Sequence, residues 1–327
     1  MIDFKTKKWL KQQQELLKRP TVLKRGSTVA VVAFSDRMTR ADMKDLRQSI
    51  EILEDWGLKV IVSKHVAAYL LEKNMPLPNM VISEMMTLAK NDIDAFYCAK
   101  GGFAANRLFH YQDFEKLLRV ISRKKIAVMG YSDATTLQVP LVYHNLASYY
   151  APNLTYLHRR GTETLNSLYQ AVFSKTRPFQ RINNFRVWHD AAPTKIKGVL
   201  ITGNLVTMHD CIAGDYNLLT KFPEIILAVE ETDESLENLE RLLATMTSYL
   251  SVKALIVNFK RKGVDYSRKQ LKPILKRLVG NETPVLWYPS FGHIVGKKFF
   301  RTLGSGWPAQ LTLKKNKTAE LEFLLLN

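Results

Sequence analysis

Residues 126–134, IAVMGYSDA, running straight on into TTLQ, hold the reading on which the fold turns. The apolar run Ile126–Met129 is strand-like, and Gly130-Tyr131-Ser132-Asp133-Ala134 then sets a serine where the strand gives way to a helical stretch. A sharp strand-to-helix turn presses together the backbones two residues before and two residues after that serine. Both positions must therefore be small, and Gly130 and Ala134 meet the requirement. This is the pattern of a nucleophile elbow. The competing reading is a chance match in which Ser132 only caps the following helix.

Upstream the same alternation of strand and helix recurs. Thr28–Phe34 (TVAVVAF) is a short β-branched run after Gly26. Thr39 opens a helix with Met43, Leu46, Ile50, Leu53 and Trp56 at helical spacing, Gly57 closes it, and LKVIV at 58–62 completes a βαβ unit. Val81–Leu88 is helical in spacing, Asp94–Cys98 is strand-like and Phe114–Ile121 is helical again, so a doubly wound parallel sheet is expected. Between about 156 and 195 the pattern decays into HRRGTETLNS, SKTRPFQRINN and HDAAPTK, which read as a crossover. Beyond it, strands at Ile196–Ile201, Ile225–Val229, Ala254–Phe259 and Pro284–Trp287 alternate with helices at Leu205–Ile212 and 235–250 and a basic helix interrupted by Pro273. The expected fold is α/β: a basic leader (1–26), an N-terminal doubly wound parallel-sheet domain carrying the elbow (27–155), the crossover (156–195), and a smaller C-terminal α/β domain (196–327).

A chain of 327 residues, 46% apolar and 24% charged, is long enough for two domains and has the composition of a globular protein. The two cysteines, Cys98 and Cys211, lie far apart and outside any C-x-x-C pair, which argues against a disulfide framework or a thiolate zinc site. No run of about 18 apolar residues is present and the leader lacks a signal-peptide core, so a cytoplasmic protein without a membrane span is expected. Lys and Arg total 48 against 30 Asp and Glu, a net charge of +18, and residues 1–27 and 260–277 supply +6 and +7 of it. Such a field attracts polyanions, but no zinc-finger, RNP or helix-turn-helix pattern accompanies it. A basic nucleic-acid-binding protein without catalysis is therefore a lesser alternative to a solvated basic surface.

A serine hydroxyl needs a base within hydrogen-bond reach, and the base needs an acid that fixes its tautomer. Among seven histidines, His293 stands apart because Phe291-Gly292-His293 follows the strand VLWYPS, which places an imidazole just beyond a strand's carboxyl end, where open α/β sheets bind ligands. Glu230 and Glu231 end the strand IILAV, and alternation along a strand lets only one of them face a site there. Two donors for an oxyanion are expected from the N–H of Asp133, by elbow geometry, and from the Gly101-Gly102 turn after the strand DAFYC. A lipase-like α/β-hydrolase would share the order serine, acid, histidine.

Taken in order, KGGFAANRLF, GYSDATTL, TGNLVTM, ILAVEETDESLENLER and FGH resemble the LD-carboxypeptidase family of serine peptidases, including its microcin C self-immunity branch, over roughly residues 20–310. The resemblance implies a Ser132–His293–Glu230 triad and is what prefers Glu230 to Glu231. It also implies an oxyanion hole from Asp133 and the Gly101-Gly102 turn, no metal or cofactor, a homodimer and a cytoplasmic setting. The substrate implied is a small peptide or peptide conjugate: a cell-wall tetrapeptide, as in peptidoglycan recycling, or a microcin C-like peptidyl-nucleotide. Lys100 and Arg107 are candidates to bind a substrate carboxylate, and Trp188 to stack on a base. Lys100 stands where the peptidoglycan enzymes usually have Arg, Phe103-Ala104-Ala105-Asn106 replaces a Tyr-Gly continuation, Thr202-Gly203-Asn204 replaces Gly-Gly-Asn, and Gly214-Asp215 replaces Gly-Thr.

Overall fold

A computed structural model describes residues 4–68, 77–189, 194–294, 298–315 and 318–325. Five strands follow the expected β/α alternation in the first half: β1 (Thr28–Val32), β2 (Lys59–Val62), β3 (Ala95–Cys98), β4 (Ala127–Gly130) and β5 (Ser148–Tyr150). They lie in the order β5-β4-β3-β1-β2 and all pair in parallel. Side-chain alternation decides what covers each face. Val29, Val31, Ala95, Tyr97, Ala127 and Met129 point to one side, beneath Leu46 and Leu53 of helix Arg40–Asp55 and Leu168 of helix Thr162–Phe173. Ala30, Val32, Phe96, Cys98 and Val128 point to the other, beneath helices Pro78–Lys90, Gln112–Lys124 and Thr135–Tyr143. Helix Arg40–Asp55 starts where the sequence places it because Thr39 accepts from the Asp42 N–H at 3.1 Å while Asp42 accepts from the Thr39 N–H at 2.9 Å, a reciprocal cap.

The second half adds β6 (Arg186–His189), β7 (Lys195–Asn204), β8 (Ile225–Thr232), β9 (Val252–Arg261), β10 (Val264–Asp265), β11 (Val285–Trp287), β12 (Leu303–Ser305), β13 (Trp307–Leu313) and β14 (Ala319–Phe323). The second sheet runs β14-β13-β7-β8-β9-β11-β6, with β7, β8, β9 and β11 parallel and β10 hydrogen-bonded to β9. Strand β12 is not part of it. It pairs antiparallel with β5 at the edge of the first sheet, and after Gly306, at φ +79°, the chain enters the second sheet as β13. The C-terminal segment therefore stitches the two sheets together.

Four local readings differ from the structure. The crossover 156–195 contains helix Thr162–Phe173, whose buried stripe of Thr164, Leu168, Ala171 and Val172 is too short-chained to read as an apolar face. Pro273 does not interrupt its helix, Arg268–Val279, because it sits on the exposed side, where a missing N–H leaves only a solvated carbonyl. The basic leader holds helix Phe4–Leu16, and three strands follow residue 300 where the sequence suggested none. Among the described residues no helix is long and apolar enough to cross a membrane.

Candidate functional site

The carboxyl ends of β3, β4, β7, β8 and β11 converge on one cleft of about 240 Å³, lined by Gly102, Ser132, Asn204, Thr207, Glu231 and His293 among others. Ser132 has φ +63°, the left-handed strain that an elbow imposes on its central residue. The small-residue requirement is visible on both sides of it. A Cβ on Gly130 would lie 2.8 Å from Ala134 Cβ and 2.7 Å from Cys98 Cβ, so no larger pair fits.

Around the elbow, buried polar groups fix the backbone. Asn153 Oδ1 accepts from the Tyr131 N–H at 3.0 Å. Asp133 is itself buried; its carboxylate accepts from Ser35 Oγ, from the Ala105 N–H at 3.2 Å and from Thr207 Oγ1 at 3.1 Å, tying three neighbouring segments to the turn. Gly101 packs so tightly on the serine that a Cβ there would sit 3.1 Å from Ser132 Oγ. At Gly102 a Cβ would collide with Ser35 Oγ, which keeps that backbone bare toward the cleft.

From the second sheet, Glu230 reaches the same place. Fully buried at the end of β8, it accepts from His293 Nδ1 at 2.7 Å and from the His293 backbone N–H at 3.0 Å through Oε2. Through Oε1 it accepts from the Tyr150 hydroxyl at 2.5 Å. Burial pushes the Glu230 carboxyl up, but the adjacent imidazole outweighs it and holds the group below the usual carboxylate range. Burial likewise works to lower the His293 imidazole, and the Glu230 charge overrides it to raise the ring above its ordinary value. The His293 loop is held by Asn258 Nδ2, which donates to the Phe291 carbonyl at 2.5 Å, and by Tyr131, whose ring meets the imidazole edge-on at 5.1 Å. Ser132 Oγ and the His293 ring line the same cleft without hydrogen bonding to each other. Such bonds are often long in an unliganded site and tighten with substrate.

Gly292 makes this placement possible. It stands at φ +74°, and a Cβ there would overlap the Glu230 side chain. Gly292→Ala is expected to cost about 2–5 kcal/mol, from backbone strain plus overpacking, seen as a lower denaturant midpoint with an unchanged slope.

Glu231 lies in the same cleft and accepts from the Val206 N–H at 3.1 Å and the Thr232 N–H at 2.8 Å. Burial, then the Glu230 charge, lifts its carboxyl to about 7. The unfolded chain ionises this group near its ordinary 4.5, so between about pH 4.5 and 7 the native state holds a proton that the unfolded state has lost, and stability falls as pH rises through that window. Glu231→Gln removes the decline. Relative to wild type, its unfolding free energy should rise by up to about 3 kcal/mol between pH 5 and pH 8, measured by urea titration at each pH.

Three residues read from the sequence as substrate contacts lie elsewhere. Lys100 Nζ is 3.0 Å from Asp42 Oδ2 and 3.7 Å from Asp36 Oδ2, Arg107 Nε donates to the Ala104 carbonyl at 3.0 Å, and Trp188 is buried against Trp287 with ring centroids 6.2 Å apart. The cleft wall is instead formed by Asn106, Asn204, Thr207, Asp210 and Glu234, with Phe103 and Val206 its apolar members among the described residues. Sequence reasoning passed over Tyr150 and Asn153, and named Asn204 only within the Thr202-Gly203-Asn204 departure from the family pattern. The rule that picked His293, a polar residue at or just past a strand's carboxyl end, applies to each of them.

The geometry can be set beside known proteins. The LD-carboxypeptidase N-terminal domain profile matches residues 29–151 and the LD-carboxypeptidase C-terminal domain profile matches residues 197–309. A murein tetrapeptide carboxypeptidase of Pseudomonas aeruginosa is 26% identical over 215 residues, which cover 62% of this chain and 66% of that protein, just under two thirds of its length. Among solved structures, an MccF-like protein of Bacillus anthracis superposes with a TM-score of 0.77 at 20% identity, covering 93% of this chain and 98% of its own. MccF in complex with glutamyl sulfamoyl guanosine superposes with a TM-score of 0.73 at 20% identity, covering 95% of this chain and 100% of its own. The two profile matches together span well over half of the sequence: the chain belongs to the LD-carboxypeptidase family.

Proposed function

We propose that this member of a peptidase family is a serine peptidase that cleaves an amide bond in a small peptide or peptide conjugate, with Ser132 as nucleophile, His293 as general base and then acid, and Glu230 as the group that orients the imidazole. The nucleophile belongs to the 27–155 region, and Glu230 and His293 to the 196–327 region. The observation that carries this reading is a strained serine facing the same cleft as an imidazole whose Nδ1 is committed to a buried carboxylate. That commitment leaves His293 Nε2 for the serine. Ser132 Oγ attacks the carbonyl carbon and its proton passes to Nε2. The imidazolium, balanced by Glu230, then delivers the proton to the leaving amine, and water repeats the cycle on the acyl-enzyme. The N–H of Asp133 and the Gly101-Gly102 backbone would receive the oxyanion.

Support for a polar peptide over a simple lipid ester comes from the cleft wall, which is predominantly hydrogen-bonding. The relative named a murein tetrapeptide carboxypeptidase and the MccF complex with glutamyl sulfamoyl guanosine suggest two substrate classes, a murein tetrapeptide and an aminoacyl-nucleoside conjugate. The test is incubation of wild type and Ser132→Ala with each compound, following release by mass spectrometry. Release by wild type alone supports the reading; release that persists in the variant, or none from either compound, contradicts it.

A further inference from the structure

Resting on the serine-peptidase reading, we propose that Tyr150 is a positioning residue whose single hydroxyl registers the nucleophile of one sheet against the acid of the other. Tyr150 ends β5 in the first sheet, and Glu230 is the last residue of β8 paired with β7 in the second. The phenol is fully buried, donates to Glu230 Oε1 at 2.5 Å, and accepts from the Ser132 backbone N–H at 3.2 Å. One oxygen atom thus touches the peptide unit of the serine and the carboxylate that orients the histidine. Phe291, two residues before His293, packs on its ring at a centroid distance of 6.4 Å, and Tyr131, one residue before Ser132, at 6.3 Å.

Among the described residues no other group donates to Glu230 Oε1 at so short a distance. Oε2 of Glu230 is committed to the ring and main chain of His293, and the remaining side-chain donor to Oε1 is Asn204 Nδ2 at 3.4 Å. Burial, then the Glu230 charge, keeps the phenol protonated far above its ordinary 10, so it acts as donor to the carboxylate. A hydrogen bond to a charged acceptor in a dry site is strong and directional. It aims Oε2 at Nδ1 and draws part of the carboxylate's charge toward Oε1. Without it, loss of the imidazole proton would leave the Glu230 charge less well stabilised, and the ring would hold that proton more tightly. The other ionisable groups acting on the ring are Glu231, whose own carboxyl titrates at about 7 and is present in wild type and variant alike, Asp233, and Tyr131, which touches it edge-on.

Tyr150→Phe should lower kcat by about 10- to 30-fold with KM changed less than about 2-fold, the loss typical of a hydrogen bond to a charged group. It should also move the acid limb of the kcat/KM–pH profile to higher pH. Stoichiometric labelling of Ser132 by a fluorophosphonate corrects for the folded fraction. An isosteric replacement, 3-fluorotyrosine placed at position 150 alone, strengthens the donor and should move the acid limb to lower pH. A purely structural tyrosine would reduce the labelled fraction and leave the profile of the remaining enzyme in place. Unchanged kcat and acid limb in Tyr150→Phe, with Ser132→Ala inactive, would overturn the positioning role and leave the peptidase reading standing. Absence of turnover in the wild type would overturn both.

Discussion

Ser132→Ala is expected to reduce kcat by about 10⁵- to 10⁶-fold, because the remaining groups can bind and polarise an amide but have no nucleophile to activate. The fold should survive. Residue 132 keeps a Cβ at φ +63°, so the elbow retains its strain, and among the described residues no group is hydrogen-bonded to the lost hydroxyl that its removal would orphan. Ser132→Gly should be as inactive and about 1 kcal/mol more stable, since glycine adopts this backbone without penalty. Thermal unfolding of the three proteins alongside their turnover separates the two effects: activity falls equally in both variants while melting temperature is unchanged in one and higher in the other.

The second large effect is expected at Glu230. Glu230→Gln keeps the shape but reverses the hydrogen-bond logic, and about 10⁴-fold in kcat should be lost, as when a triad carboxylate becomes an amide and the imidazole takes the wrong tautomer. Here the surroundings make the substitution worse. The carboxylate is encircled by donors: Tyr150 Oη, the His293 ring and backbone N–H, and Asn204 Nδ2. A glutamine must turn its NH₂ either toward the His293 backbone N–H, which can only donate, or toward Asn204 Nδ2, which can only donate, and Tyr150 Oη, which already accepts from the Ser132 N–H, so a buried polar atom is left poorly paired at a cost of about 1–3 kcal/mol. Chemical denaturation should record that loss, and the double variant with Ser132→Ala should be no less active than Ser132→Ala alone, because residues acting as one unit do not contribute additively.

How much of this was legible follows from how local each signal is. The elbow could be read because Gly130, Ser132 and Ala134 lie within five residues and the packing constraint acts among them directly. The βαβ units could be read because Leu46, Leu53, Leu117 and Ile121 repeat at helical spacing. Glu230 and His293 were reached by a positional rule about strand ends, and choosing Glu230 over Glu231 needed the family resemblance; in the structure it is Glu230 that lies against His293 Nδ1. What escaped depends on contacts distant in sequence. Tyr150 looks like one more aromatic of an SYY strand until Glu230, 80 residues on, is brought to its hydroxyl. Strand β12 spans only three residues and exists because β5 offers an open edge, a partner no window of sequence contains. The pairing of Lys100 with Asp42, across 58 residues, was illegible for the same reason.

The central claim is that Ser132, carried by one sheet, is made reactive by His293 and Glu230, carried by the other. Its most direct measurement is intact mass and peptide mapping after exposure to a fluorophosphonate, for wild type and for His293→Ala. The account predicts one adduct per wild-type chain, located on Ser132, and labelling slowed by at least about a thousand-fold in the variant. An adduct on another residue, or equal labelling of Ser132 with and without the imidazole, would contradict it.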